Sequence, residues 1–316
     1  MSAMQRLPDA ITSRLTVPLI AAPMLRVSGP ELVSAVCRAG AIGAFPAANA
    51  RDTGTLDAWL TELDSALGPG DAPYCPNIIM RQPGLPDVVK VLTSHRTEIV
   101  VTSVGSPAPI VPALHQAGVL VFADVASVRH ARRALEAGAD GLVLLTAGAG
   151  GNTGWLNPLA FTRAVREFYD GPLALAGGIT DGRALYAARV LGVDLGYAGT
   201  SFIATDESLA DPGHKAMVAG SSMDDVLRTR AFTGMDASML VPSIVAAGLD
   251  PSALDELAGS GLANERYGRD SPSGPRRWKD IWSAGHTVSG VRGVRPAAEA
   301  VEQFAAEYAA ARDGAC

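Results

Sequence analysis

Two short segments carry the sharpest chemical signal in the chain, Ala176-Gly177-Gly178-Ile179 and Gly199-Thr200. Glycines lack a Cβ, so backbone N–H groups there can approach an anion closely. Asp181 lies just beyond the first pair as a helix cap, and helix N-termini attract phosphate. Thr200 and Ser201 add hydroxyl donors to the second segment. Either segment alone could be a tight left-handed turn. Both together, one strand apart, predict a phosphate grip.

A third segment, Thr146-Ala147-Gly148-Ala149-Gly150-Gly151-Asn152-Thr153-Gly154, is too long and glycine-rich for a simple turn. A flat ring or a substrate could lie against such a backbone. Asp124 ends the apolar run Val121-Phe122-Ala123, where it can meet either a cofactor or a neighbouring loop. His286 follows Ser283-Ala284-Gly285 and is a candidate catalytic group, with a surface position as its alternative. His214, beside Lys215, reads as part of a lid or as a solvated helix position, and His95, His115 and His130 as outer-face helix residues. Tyr197 and Trp155 could stack on a substrate or simply pack. No His, Cys or carboxylate set has metal-ligand spacing, so no metal is expected.

Eight apolar runs must position these groups, at 17–22, 41–45, 74–80, 98–103, 119–124, 141–146, 173–176 and 193–198, alternating with helix-period segments. Continuous apolar runs suit parallel strands covered on both faces. The first turn, Ala22-Pro23-Met24-Leu25, lacks the glycine fingerprint of an open dinucleotide-binding sheet. The expectation is therefore α/β, a (β/α)8 TIM barrel with its chemistry at the C-terminal strand ends and phosphate after strands seven and eight. Beyond residue 205 the rhythm breaks into helical pieces at 224–230, 242–247 and 252–257, a polar stretch at 259–275, and a terminal helix at 297–312. Residues 1–205 and 281–316 are thus assigned to the barrel, and 206–280 to a helical insertion, or lid, over the active-site face.

Bulk properties narrow the function classes. A hydrophobic content of 48% supplies a large core, and the net charge of −6 without a basic run argues against nucleic acid. No apolar run approaches a membrane span. Cys37, Cys75 and Cys316 are widely spaced, which suits a reduced, cytoplasmic setting rather than a disulfide framework.

At these residues the chain resembles the nitronate monooxygenase (2-nitropropane dioxygenase) family. The likeness runs from Ala21-Ala22-Pro23-Met24 through Val121-Phe122-Ala123-Asp124 and the glycine loop with Trp155-Leu156-Asn157-Pro158. It continues through Ala176-Gly177-Gly178-Ile179 and Gly199-Thr200-Ser201-Phe202 to Pro242-Ser243-Ile244 and Trp278-Lys279-Asp280-Ile281-Trp282-Ser283-Ala284-Gly285. The resemblance implies a noncovalent flavin mononucleotide (FMN), with its phosphate on Gly177, Gly178, Gly199 and Thr200. Its ring would lie near Ala22, Pro23 and Met24, with Asn77 as a polar partner; Asp124, from its place at a strand end, and Gly151 in the glycine loop are further cofactor-binding candidates. The expected partners are a small-molecule substrate and O2, with a homodimer left open.

One departure bears on the reaction. The family pattern Gly-Gly-His-x-Gly reads Gly150-Gly151-Asn152-Thr153-Gly154 here. An amide orients a substrate by hydrogen bonds but is no general base. A preformed nitronate needs no proton removed, so its oxidation stays the leading expectation. The rivals are a flavin dehydrogenase or ene-reductase acting on an activated carbonyl or acyl-thioester, and a flavin-free aldolase or isomerase. The latter is disfavoured because no lysine stands at a strand end for a Schiff base.

Overall fold

The computed structural model describes residues 6–257, 259–268, 271 and 274–314, so Cys316 lies outside the described residues. Eight parallel strands close into a barrel in the order β1 (Leu19–Ala21), β2 (Ile42–Pro46), β3 (Tyr74–Ile79), β4 (Ile99–Ser103), β5 (Leu120–Val125), β6 (Gly141–Leu145), β8 (Leu173–Ala176) and β9 (Leu195–Ala198). Strand β7 (Gly151–Asn152) belongs to the glycine loop and leaves the barrel. Closure is made by Ile20 opposite Tyr197 and Ala21 opposite Ala198. The protein is a TIM barrel, with each strand lying within or beside its expected apolar run.

Helix boundaries follow local chemistry. A short helix α1 (Asp9–Thr12) precedes the barrel, and α2 (Pro30–Arg38) starts with proline at its first position, where the missing N–H costs nothing. Helix α3 (Thr53–Ala66) is capped by the Asp52 carboxylate on the Thr55 N–H. It is followed by α4 (Leu85–Thr93) and α5 (Val111–Gln116). Ser127 caps α6 (Val128–Glu136), Asn157 caps α7 (Pro158–Arg166) and Asp181 caps α8 (Gly182–Val190). The barrel interior is filled by Ile20, Ile42, Cys75, Val101, Phe122, Val143 and Leu195, all buried. Below it, Asp194 accepts from Arg6, Arg166 and Arg189 at 3.2, 2.7 and 3.1 Å, fastening the N-terminus and two helix ends to the start of β9.

The insertion departs from the helical expectation. After α9 (Thr200–Ile203) and α10 (Pro212–Gly220), the stretch expected to be helical at 224–230 is a 3-10 turn followed by strand β10 (Val226–Thr229). It pairs antiparallel with β11 (Ala237–Leu240), which in turn pairs with β7 of the glycine loop. Local pattern favoured helix because these strands are four residues long and the second partner of β11, β7, lies far away in sequence. The expected helix at 242–247 is present as α11 (Val241–Ala246), whereas 252–257 retains only a 3-10 turn over Pro251–Ala253. The polar stretch contains α12 (Ser260–Tyr267), and α13 (Ala297–Asp313) closes the chain against α8.

Candidate functional site

A cavity of about 860 Å³ opens at the C-terminal ends of the strands. Ala22, Pro23, Met24, Asn77, Asp124, Gly151, Asn152, Gly177, Gly199 and Thr200 all lie on its wall. Two candidates do not. Gly178 is exposed and stands off the wall, and His286 is exposed beside Gly148, to whose carbonyl its N–H donates at 2.9 Å. The His286 ring lies behind Gly148, which itself lines the cavity. Its position follows from the main-chain return at 283–286, which turns the backbone, rather than this side chain, toward the site.

The phosphate segments differ in detail from their sequence reading. The N-terminus of α8 is partly taken up, because Asp181 accepts from Ala184 N–H at 2.8 Å and Glu307 from Gly182 N–H at 3.0 Å. Anion donors come also from the turns. On the wall, the N–H groups of Ile179 and Thr200 make no backbone hydrogen bond among the described residues. Thr200 Oγ1 accepts from Gly285 N–H at 2.9 Å, which leaves its own proton free to donate. Gly177 has φ +106°, and a Cβ there would meet Thr146 Oγ1 at 2.4 Å, so strand β8 can approach the glycine loop only at a glycine.

The glycine loop is built rather than loose. Thr146 Oγ1 donates to Ala176 O at 2.7 Å, and Thr153 Oγ1 donates back to Thr146 O at 2.9 Å. Pairing of Asn152 with Ala237 and of Gly151 with Ser238 fixes its tip. Segment 282–286 then ties three elements together. Ser283 Oγ accepts from Gly151 N–H and donates to Ser238 O, each at 2.6 Å, while Ser283 O receives His214 Nε2 at 3.0 Å.

Electrostatics single out two groups. Asp124 Oδ1 is enclosed without a hydrogen-bond partner, and burial pushes this carboxyl up to about 7. Asn152 Oδ1 is likewise sealed and unpartnered. Buried polar atoms rarely stay unpaired, so both fit places where a ligand completes the bonding. Asn77 is engaged, donating to Val101 O at 3.1 Å and Ser103 Oγ at 3.2 Å. Tyr197 lies buried on the cavity wall, whereas Trp155 is exposed under the Arg228 guanidinium, 5.3 Å from its ring centroid.

Several wall residues were not legible beforehand. His214 on α10 is 7% exposed and stacks on Trp282 at 5.3 Å, so it is not a solvated helix position. His130 was expected to face outward, yet it borders the cavity with Arg133 on α6 and Arg81 after β3. A helix-period pattern shows which face of α6 packs on the barrel, but not that its exposed face curls over the mouth. Val104 and Trp278 also line the cavity with φ of +55° and +65°, a strained backbone that no sequence signal announces.

Comparison with known proteins fits this geometry. Residues 72–249 match the family model for nitronate monooxygenase. The chain belongs to the nitronate monooxygenase family. It is therefore a flavin-dependent oxidoreductase, and the wide cavity, the glycine without space for a Cβ and the open N–H groups suit a flavin. The nitronate monooxygenase of Paraburkholderia phytofirmans is 28% identical over 278 residues, covering 74% of this chain and 76% of its own. A Rhodococcus jostii protein named (3aS,4S,5R,7aS)-5-hydroxy-7a-methyl-1-oxo-octahydro-1H-indene-4-carboxyl-CoA dehydrogenase is 27% identical, with coverage of 77% and 68%. The structure of nitroalkane oxidase from Streptomyces ansochromogenes superposes with TM-score 0.80 at 26% identity over 98% of this chain and 100% of that one. Among the described residues, no group of three or more His, Cys, Asp or Glu could hold a metal, and no helix is long and apolar enough to cross a membrane.

Proposed function

We propose that this protein is an FMN-dependent oxidoreductase that oxidises a nitronate or similar small anionic substrate with dioxygen. The observation that carries the reading is the Asn152 amide. It borders the cavity, makes no hydrogen bond among the described residues, and stands on a strand-paired backbone. Such an amide donates to a nitronate oxygen and fixes its orientation without moving a proton.

The residues fit FMN in a definite way. Gly177, Ile179, Gly199 and Thr200 would receive the phosphate through N–H groups and the Thr200 hydroxyl. Ala22, Pro23 and Met24 would support the flat ring, with Asn77 held rigid at its polar edge. When bound, the flavin supplies the two-electron acceptor that dioxygen regenerates. Asp124, neutral below about 7, can donate a hydrogen bond beside that ring. Residues 206–280 act as the lid that keeps water from the substrate.

A second reading is favoured by one observation. Arg81, His130 and Arg133 border the cavity together and make no side-chain hydrogen bond or ion pair among the described residues. In a chain of net charge −6, this basic rim suits a substrate with a phosphorylated tail, such as an acyl-thioester of coenzyme A.

Anaerobic mixing of the flavin-loaded protein with ethyl nitronate, NADH, NADPH and an acyl-CoA panel separates the readings. Rapid bleaching by the nitronate, with oxygen uptake on readmitting air, is the expected result. Bleaching by acyl-CoA alone moves the assignment to the dehydrogenase, and a protein that takes up no flavin overturns both.

A further inference from the structure

The place of the family's loop histidine is taken by Asn152, yet a histidine reaches the same cavity from another element. His214, on α10, lines the wall that Asn152 lines. The backbone beside Asn152 and the His214 ring are fastened to one residue. Gly151, next to Asn152, donates to Ser283 Oγ at 2.6 Å, and His214 Nε2 lies 3.0 Å from Ser283 O.

That second contact determines the state of the ring. A carbonyl oxygen only accepts, so Nε2 must carry the proton. In the neutral imidazole Nδ1 is then the bare acceptor, and it has no partner among the described residues. The ring stacks on Trp282, with centroids 5.3 Å apart and an interplanar angle of 11°, and a flip within that plane would put carbon in place of Nε2 at the Ser283 carbonyl. Burial lowers the imidazole's proton affinity, against smaller opposing effects of the Ser283 carbonyl and Asp211. The free base is thus held ready at neutral pH.

We propose that His214 Nδ1 is a general base for the reaction of this site, taking the place of the absent loop histidine and extending the substrates from preformed nitronates to neutral carbon acids such as nitroalkanes. This rests on the proposed oxidation of a nitronate by the flavin site. In the added step the Cα–H bond breaks, its proton passes to Nδ1, and its electron pair delocalises onto the nitro oxygens. The product is the nitronate, which the oxidative step consumes. Nε2–H stays on the Ser283 carbonyl, which stabilises the imidazolium, and the proton leaves to solvent when the ring resets. Asn152 orients the nitro group.

The test compares flavin-loaded wild type with His214→Gln on nitroethane and on ethyl nitronate. The expected result is a fall of about 100-fold or more in the ratio of nitroethane to nitronate kcat/KM. A deuterium isotope effect on nitroethane turnover is expected in the wild type, and the ratio should recover in His214→Gln/Asn152→His. An unchanged ratio overturns the base assignment, whereas absence of nitronate turnover in the wild type overturns the proposed function instead. If His214→Gln does not fold, ¹⁵N spectra of histidine-labelled wild type decide the matter. A neutral ring protonated at Nε2 at pH 7 supports the proposal, and an Nδ1–H tautomer refutes it.

Discussion

The Ser283 hydroxyl accepts a hydrogen bond from the Gly151 N–H at 2.6 Å and donates one to Ser238 O at the same distance. One side chain thereby joins the barrel's glycine loop to the inserted sheet. Ser283→Ala removes both bonds and leaves a donor and an acceptor near the site unpaired. The expected loss is about 1–3 kcal/mol in urea unfolding, with weakened flavin binding in a fluorescence titration. Flavin affinity equal to wild type would show that strand pairing alone sets the loop.

Gly177→Ala tests the close approach of β8 to the loop. The new Cβ would sit 2.4 Å from Thr146 Oγ1, at a backbone φ of +106°. Strain of about 1–3 kcal/mol is expected from the backbone conformation alone. The purified variant should contain less flavin per chain, measured by absorbance of the released cofactor.

Asp124 gives stability a pH dependence of unusual sign. Its carboxyl titrates at about 7 in the folded chain, against 3.8 for the free group, so the folded state holds the extra proton between those values. Stability from this group is full below the unfolded value and is lost as pH rises through about 7. Asp124→Asn should flatten the melting temperature of the flavin-free protein between pH 5 and pH 8. Its gain over wild type should be greatest at the upper end.

Asp194 anchors the opposite end of the barrel. Its buried carboxylate faces Arg6, Arg166 and Arg189 and also accepts the Leu173 N–H at 2.9 Å. Asp194→Ala leaves buried positive charge uncompensated, and about 3–5 kcal/mol should be lost in denaturant unfolding. Absorbance of bound flavin in whatever fraction folds should stay near wild type, because this end of the strands faces away from the cavity.

The basic rim predicts a charge-dependent KM. Arg81→Glu combined with Arg133→Glu should raise KM for a phosphorylated acyl-thioester about tenfold or more, equivalent to about 1.4 kcal/mol. Neutral substrates should respond little, and raising salt should shrink the difference. Equal effects on both substrate types would remove the rim from recognition.

By itself the amino-acid sequence determined the barrel and most of its wall. Buried parallel strands and their capped helices are local patterns: apolar runs for β1 to β6, β8 and β9, and Ser127, Asn157 and Asp181 as caps. Strand order in a barrel follows chain order, so Ala22, Asn77, Asp124, Gly177 and Thr200 converge once the strands are counted. The tertiary structure alone decided what depends on distant pairing. Strands β10 and β11 are too short to be read locally, and the β7 residues that pair with β11 lie 85 and 87 residues away by numbering. Nor could spacing reveal that Ser283 would hold Gly151 and His214 together, or that His286 would turn outward. Those placements come from where the chain re-enters the barrel, which is decided by packing of the whole insertion rather than by any one segment.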